Sequence, residues 1–159
     1  MEIRQAKPAE SAVLTSLSFA SKRYWNYPEA YFAVWEKELT IAPEYIHNNI
    51  VYVAEIKGNI SGYLSIVEVK EDFWAGSVFV RKGLWLEHIF ILPELIGKGI
   101  GSHLMAFALD ICRKRAIDRL LIFSDPNAKG FYDKLGARFI EDSPSSIEGR
   151  TVLLYELEL

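Results

Sequence analysis

Cysteine is nearly absent from this chain of 159 residues: Cys112 stands alone, so no disulfide can form within it, and a reducing compartment is its natural setting. Histidine is as scarce. His47, His88 and His103 lie far apart without ligand spacing to carboxylates, so no metal site is expected. No apolar run approaches the ~20 residues of a membrane span, and residues 1–6 carry no apolar signal region, so a cytoplasmic protein with no membrane partner is expected. A strong charge of one sign is also missing: the net of -3 gives no electrostatic footprint for nucleic acid. The one basic cluster, Arg113-Lys114-Arg115, suits the last turn of a helix, where cations offset the negative end of the peptide dipoles. Internal repeats, low-complexity tracts and linker composition are absent too, so residues 1–159 read as one domain.

What is present is the composition of a folded globule, half hydrophobic and a quarter charged. Residues 1–7 alternate around Ile3 and read as a first strand. A helix over 8–22 carries Ala12, Val13, Leu14, Leu17, Phe19 and Ala20 behind a proline suited to a first turn, and a second over 28–39 carries Tyr31, Phe32, Val34 and Trp35. Between them Lys22-Arg23-Tyr24-Trp25-Asn26-Tyr27 is aromatic as well as polar. Residues 50–56 and 60–69 are strands rich in β-branched and aromatic residues, joined at the hairpin signal Lys57-Gly58-Asn59. A loop over 71–76 precedes another short strand at 77–81.

The rest of the chain is organised around residues 84–112, LWLEHIFILPELIGKGIGSHLMAFALDIC. An apolar run containing Glu87 and His88 stops at Pro93; Gly97, Lys98, Gly99, Ile100 and Gly101 follow, and then Leu104, Met105, Ala108, Leu109 and Cys112 recur at helical spacing. This is strand, glycine loop, helix. The first turn of a helix has N–H groups without internal partners and carries roughly +0.5 charge, so an anion is favoured there. Glycine lets a phosphate approach the backbone closely, and Lys98 adds a mobile cation. A diphosphate fits such a loop. A P-loop fits poorly, because its lysine follows the glycines, whereas Lys98 sits between them. A Rossmann turn also fits poorly, since it needs Gly-x-Gly-x-x-Gly and an acidic residue about 20 positions on; here Ser102, His103 and Leu104 follow the last glycine.

Downstream, 120–123 is a short buried strand, Asp125 is a good N-cap with Pro126 in the first helical position, and 127–135 should be helical up to Gly136. Strands at 138–140 and 151–159 flank a loop over 142–150 whose plain reading is a surface turn. The apolar last strand offers an edge through which a homodimer could pair.

Residues 93–101, PELIGKGIG, resemble the acyl-CoA loop of the GNAT superfamily of N-acetyltransferases, Gln/Arg-x-x-Gly-x-Gly/Ala. Residues 125–137, DPNAKGFYDKLGA, resemble the second block of that family, Asn-Ala-x-x-Phe-Tyr-x-x-x-Gly-Phe. Ile96 stands at the Gln/Arg position, so backbone N–H groups would carry that contact, and Ala137 replaces the usual Phe. The family's capping Asn is sometimes placed seven residues before the tyrosine, where this chain has Asp125, with Asn127 five before. The resemblance implies a single-domain α/β (α+β) fold, a mixed central sheet flanked by helices in the order β-α-α-β-β-β-α-β-α-β-β, which the periodicity also supports coarsely. It implies acetyl-CoA as donor, held by Ile89, Phe90 and Ile91 on the strand, by Ile96, Gly97, Lys98, Gly99, Ile100, Gly101 and Ser102 in the loop, and by Asn127. It also places the segment joining the first two helices beside the acceptor, which makes Tyr24 and Trp25 candidates; the loop over 142–150, folded over the pocket, would add Ser146 and Arg150, the latter suited to a carboxylate or phosphate.

Acetyl transfer from a thioester to an amine needs a neutral nucleophile, a polarised carbonyl and a proton for the departing thiolate. Glu87 matches the position where many family members place an acidic general base, acting through water or with a raised pKa, and its plainer role is a structural ion pair. His88 is the rival, with an ordinary pKa nearer neutrality; strand neighbours point to opposite faces, so one of the two is expected to enter the site. Tyr132 corresponds to the tyrosine that protonates the coenzyme A sulfur in many relatives. The expectation is therefore an enzyme moving acetyl from acetyl-CoA to a small-molecule amine by direct transfer in a ternary complex. A protein N-terminus or lysine as acceptor, and a non-catalytic acyl-CoA sensor, are the alternatives.

Overall fold

A computed structural model describes residues 1–159. The elements are β1 (Glu2–Gln5), α1 (Ser11–Arg23), α2 (Glu29–Leu39), α3 (Pro43–Asn48), β2 (Ile50–Ile56), β3 (Asn59–Val69), β4 (Phe73–Ala75), β5 (Val78–Val80), β6 (Gly83–Ile91), α4 (Ile100–Lys114), β7 (Arg119–Ser124), α5 (Lys129–Lys134), β8 (Arg138–Pro144) and β9 (Thr151–Glu158). Seven strands form one sheet in the order β1-β2-β3-β6-β7-β9-β8, and β4 pairs with β5 alone. None of the helices is long and apolar enough to cross a membrane. The chain packs as two compact units, Met1–Ile66 with His88–Ile111, and Val67–Glu87 with Cys112–Leu159.

In the first unit β1, β2 and β3 are antiparallel neighbours. The turn between β2 and β3 closes with Ile56 opposite Asn59, and both intervening residues have positive φ, Lys57 at 51° and Gly58 at 80°. That backbone twist matches the twist of the strands, which is why so short a turn suffices. Behind the sheet, Leu14 and Leu17 of α1, Ile46 of α3, Val51 and Val53 of β2 and Tyr63 of β3 form one buried cluster. Burying the Tyr63 hydroxyl requires a partner: it lies 2.6 Å from Ser18 Oγ, which itself donates to the Leu14 carbonyl at 2.8 Å, so Tyr63 is the donor to Ser18. No periodicity marks α3, because six residues with only Ile46 buried are too few to show a helical period. Its start is set by Pro43, whose missing N–H costs nothing in a first turn.

Gly62 on β3 governs how closely β6 can approach. A Cβ at this position would lie 2.7 Å from Ile91 Cδ1, 3.1 Å from the Phe90 carbonyl oxygen and 3.4 Å from Leu104 Cδ1. The carbonyl belongs to backbone and cannot swing aside. Gly62→Ala is expected to lower stability by about 1–3 kcal/mol through overpacking, read as a fall in the denaturant midpoint at unchanged slope. A midpoint equal to that of the wild type would show that β6 has room to spare.

In the second unit β7 pairs antiparallel with β9, and β9 with β8, while β6 and β7 run parallel with Trp85 opposite Leu121. Trp85, Leu121 and Leu154 form the buried centre, with Val67, Val69, Val80, Phe123 and Ile140 against it. The Trp85 indole donates to the Arg81 carbonyl at 2.8 Å, so its one polar group is satisfied. Residues 73–75, expected as part of a loop, instead pair with 78–80 in a small hairpin around Gly76, whose φ is 61°. The last strand was expected to offer a free edge, but β9 lies between β7 and β8, and the edges of the sheet are β1 and β8. A homodimer paired strand to strand would use one of those two.

Candidate active site

The strand–loop–helix stretch is formed as its sequence suggests. Pro93 ends the apolar run in a short 3-10 turn (Pro93–Leu95), and the chain then needs two left-handed residues to turn into α4; Gly97 at φ 84° and Gly99 at φ 86° supply them. The first intrahelical bond runs from the His103 N–H to the Gly99 carbonyl at 3.1 Å, so the N–H groups of Ile100, Gly101 and Ser102 precede it. Nothing stands within 4 Å of where a Gly97 Cβ would lie. Gly97, Lys98, Gly99 and Ser102 are exposed, whereas Ile96 is half-buried and Ile100 is buried. A left-handed turn of glycines opens here on helix N–H groups without intrahelical partners, beside a lysine, an arrangement that favours an anion. The helix behind it is anchored by Leu104, Met105, Ala108 and Cys112, all fully buried. Burial raises the Cys112 thiol pKa, so this sulfur is a core atom rather than a nucleophile.

On β6 the alternation separates the two candidate bases. Glu87 is exposed, while His88 is 9% exposed and lies among the rings of Tyr45, Tyr63 and Phe90, with centroids 6.2, 6.3 and 5.4 Å away. Ile89, Phe90 and Ile91 are half-buried along the rest of the strand.

Tyr24 and Trp25 follow α1 and are exposed, with their rings edge to face at 4.8 Å. Asn26, at φ 55°, reverses the chain behind them. Deeper in the same segment the Lys22 ammonium sits 4.4 Å from the Trp35 ring centroid and 5.4 Å from that of Tyr27, so aromatic faces and a cation already meet there.

In the second unit Asp125 caps the turn as expected, its side chain accepting the Asn127 N–H at 2.9 Å. That turn, Pro126–Ala128, is a 3-10 helix, and regular α-helix starts only at Lys129, two residues later than expected. Asn127 is exposed, and its backbone N–H is engaged by the cap. Tyr132 is 5% exposed in α5. Burial first, and the Asp125 carboxylate second, push its phenol pKa above the ordinary value, so it stays protonated. Next to it, Asp133 is held below the usual carboxylate range by Lys129 at 2.6 Å and by the Tyr155 hydroxyl at 2.8 Å. Gly136, at φ 84°, ends the helix.

The β8–β9 loop is shorter than expected, because β8 continues to Pro144. It is a built structure: Ile147 is buried, Ser145 Oγ bonds the Ile147 carbonyl at 3.0 Å and the Ile147 N–H at 3.1 Å, and Arg150 pairs with Asp125 at 3.1 Å. Ser146 is exposed. With the tip of the β4–β5 hairpin, Ala75 to Ser77, this loop lines a cleft of about 410 Å³. Ser146 and Arg150 are expected at this pocket from the sequence, whereas the hairpin is not, its only signals being Gly76 and the aromatic residues Phe73, Trp74 and Phe79.

Residues 18–137 match the acetyltransferase (GNAT) family. Among solved structures, the chain is similar to a GCN5-related N-acetyltransferase from Rhodopseudomonas palustris, with TM-score 0.77 and 17% identity over 99% of this chain and 95% of that one. It is similar to the PaiA N-acetyltransferase from Thermoplasma acidophilum, solved in complex with coenzyme A, with TM-score 0.74 and 19% identity over 99% and 98% of the two chains. It is also similar to a ribosomal-protein-alanine N-acetyltransferase from Brucella melitensis, with TM-score 0.65 and 19% identity over the whole of both. At these identities the likenesses establish the fold. No curated protein shows a significant match in sequence.

Proposed function

Because the chain belongs to the acetyltransferase (GNAT) family and is an acetyl-CoA-dependent N-acetyltransferase, we propose that it passes the acetyl group directly to the amine of a small-molecule acceptor in a ternary complex. The observation that carries the donor side is the Gly97–Gly101 turn, left-handed at Gly97 and Gly99 and open to the N–H groups of Ile100, Gly101 and Ser102. Those groups and Lys98 would hold the diphosphate, and the backbone of Ile89, Phe90 and Ile91 would carry the pantetheine arm. Bound there, the donor supplies a thioester carbon that an amine can attack.

Glu87 takes a proton from the acceptor ammonium, directly or through water, so that nitrogen can form its bond to the carbonyl carbon as the C–S bond breaks. Its exposure supports this role; the enclosure of His88 by Tyr45, Tyr63 and Phe90 supports a positioning or packing role for the imidazole. Tyr132 gives its proton to the departing sulfur, and the phenolate left behind takes up the proton that the nitrogen of the new amide must shed; its raised pKa keeps the phenol protonated before transfer. On the acceptor side, Tyr24 and Trp25 offer exposed aromatic faces, and Ser146 and Arg150 line the cleft of the β8–β9 loop. The lone buried Cys112 agrees with a cytoplasmic setting.

Thiol release from acetyl-CoA, measured against a panel of small amines and of peptides with free N-termini or lysines, tests this reading. We expect saturable turnover with at least one small amine. Turnover confined to peptides would move the acceptor class to polypeptides. Donor binding without turnover on any amine would leave the domain as a sensor.

A further inference from the structure

We propose that Arg150 and Tyr155 are positioning residues for Tyr132, clamping the short helix α5 that carries it from both ends. The inference rests on the reading of Tyr132 as the proton donor to sulfur. Helix α5 has six residues, and Tyr132 is the one it buries; so short a helix has too few internal hydrogen bonds to hold its own place. Polar bonds from β9 and from the residue before it close on either side of Tyr132. Ahead of it, Arg150 Nη2 donates to Asp125 Oδ2 at 3.1 Å, while Asp125 Oδ1 accepts the Asn127 N–H at 2.9 Å. After it, the Tyr155 hydroxyl donates to Asp133 Oδ1 at 2.8 Å, and the Tyr155 ring lies 6.0 Å from that of Tyr132.

The pair at the first end is sheltered. The Arg150 and Asp125 side chains are 14% and 16% exposed, so solvent and salt screen their attraction little. Lys129 and Asp133, by contrast, are both exposed and tie α5 only to itself. The anchor points are themselves fixed. The Arg150 N–H donates to the Ile147 carbonyl at 3.1 Å, and its own carbonyl accepts the Ser145 N–H at 3.1 Å. The Asp125 carbonyl accepts the Ala128 N–H at 2.8 Å and the hydroxyl of buried Ser124, the last residue of β7, also at 2.8 Å. The ion pair therefore joins two built segments rather than two loose side chains. A guanidinium facing Asp125 also has its charge compensated, so it attracts an acceptor anion less than a lone arginine would. Proton transfer to sulfur depends steeply on distance and angle, so slack in α5 reaches kcat before it reaches donor affinity.

Arg150→Met keeps the stem and removes the cation, and Arg150→Lys keeps a cation without the planar fork. Tyr155→Phe removes one hydroxyl at the other end, on a residue that does not line the cleft. Each is made in the wild type and in Tyr132→Phe. Thiol release from saturating acetyl-CoA is then measured with n-butylamine, which has no anion for Arg150 to attract; release onto water carries the same comparison if the amine reacts too slowly, since the sulfur leaves there too. In Arg150→Met and Tyr155→Phe kcat is expected to fall about tenfold, and by less in Arg150→Lys, with KM for acetyl-CoA unchanged. In the Tyr132→Phe background these losses should vanish, which a general loss of folding would not bring about. Amide hydrogen exchange over 129–136 should quicken in Arg150→Met and Tyr155→Phe. Unchanged exchange there, or losses of kcat that persist in full in Tyr132→Phe, would overturn the clamp and leave Tyr132 its role. A rise confined to the KM of the amine in Arg150→Met would overturn it too and make Arg150 an acceptor contact. Wild-type kcat in Tyr132→Phe itself would remove the proton-donor reading, and the purpose of the clamp with it.

Discussion

Tyr132→Phe is expected to lower kcat by about 10²-fold while leaving the affinity for acetyl-CoA nearly unchanged. The substitution removes one oxygen from a side chain that is 5% exposed and keeps the ring contacts with Phe131 and Tyr155, at 5.2 and 6.0 Å, so folding should survive. In the proposed mechanism, what it removes is the proton for the leaving sulfur. Without it the thiolate must depart as an anion, and the loss falls on the transition state rather than on the bound donor. The pH dependence has a defined sign. In that mechanism the active form is the protonated phenol, and burial together with Asp125 raises its pKa, so activity should persist through the range near ~10 where a free tyrosine ionises. Steady-state kinetics together with calorimetric donor binding check both parts. Equal kcat in the variant would remove Tyr132 from the mechanism, and a proportionate loss of donor affinity would make it a binding residue instead.

Asp125 ties three features of the second unit together. It caps the turn through the Asn127 N–H, pairs with Arg150 of the β8–β9 loop, and is one cause of the raised Tyr132 pKa. The sequence made the cap legible, because Asp-Pro before a helix is a local signal. The partnership with Arg150 was not legible, since it joins residues 25 apart and no local pattern encodes it. The same division runs through the fold. The glycine loop, the β2–β3 turn and the Leu104–Cys112 stripe depend on residues a few positions apart and could be read directly. Element α3, the β4–β5 hairpin and the extension of β8 are too short or too irregular to show a period. The place of β9 inside the sheet was misjudged because alternation gives a strand's faces but not its neighbours. At the site, motif spacing carried Tyr132 and the loop, whereas the enclosure of His88 by Tyr45 and Tyr63 depends on β3 and α3 and emerged only in three dimensions.

Glu87→Gln should reduce kcat/KM by about 10²-fold and leave donor binding intact. Glutamine keeps the size and hydrogen-bonding reach of the side chain but cannot accept a proton, so the change isolates basicity. Since Glu87 is exposed on β6, the substitution leaves the core residues Trp85 and Leu86 in place, and little stability should be lost. The deficit should depend on pH in a way that a packing defect would not. At low pH the acceptor is an ammonium and needs a base; as pH approaches the pKa of the acceptor amine, free amine arrives from solution already competent. The ratio of wild-type to variant kcat/KM should therefore shrink as pH rises. A ratio that stays constant across pH would assign Glu87 to electrostatics or acceptor binding. No deficit at all would turn attention to His88, where the same profile measured on His88→Gln would show whether an imidazole enclosed by Tyr45, Tyr63 and Phe90 takes the proton.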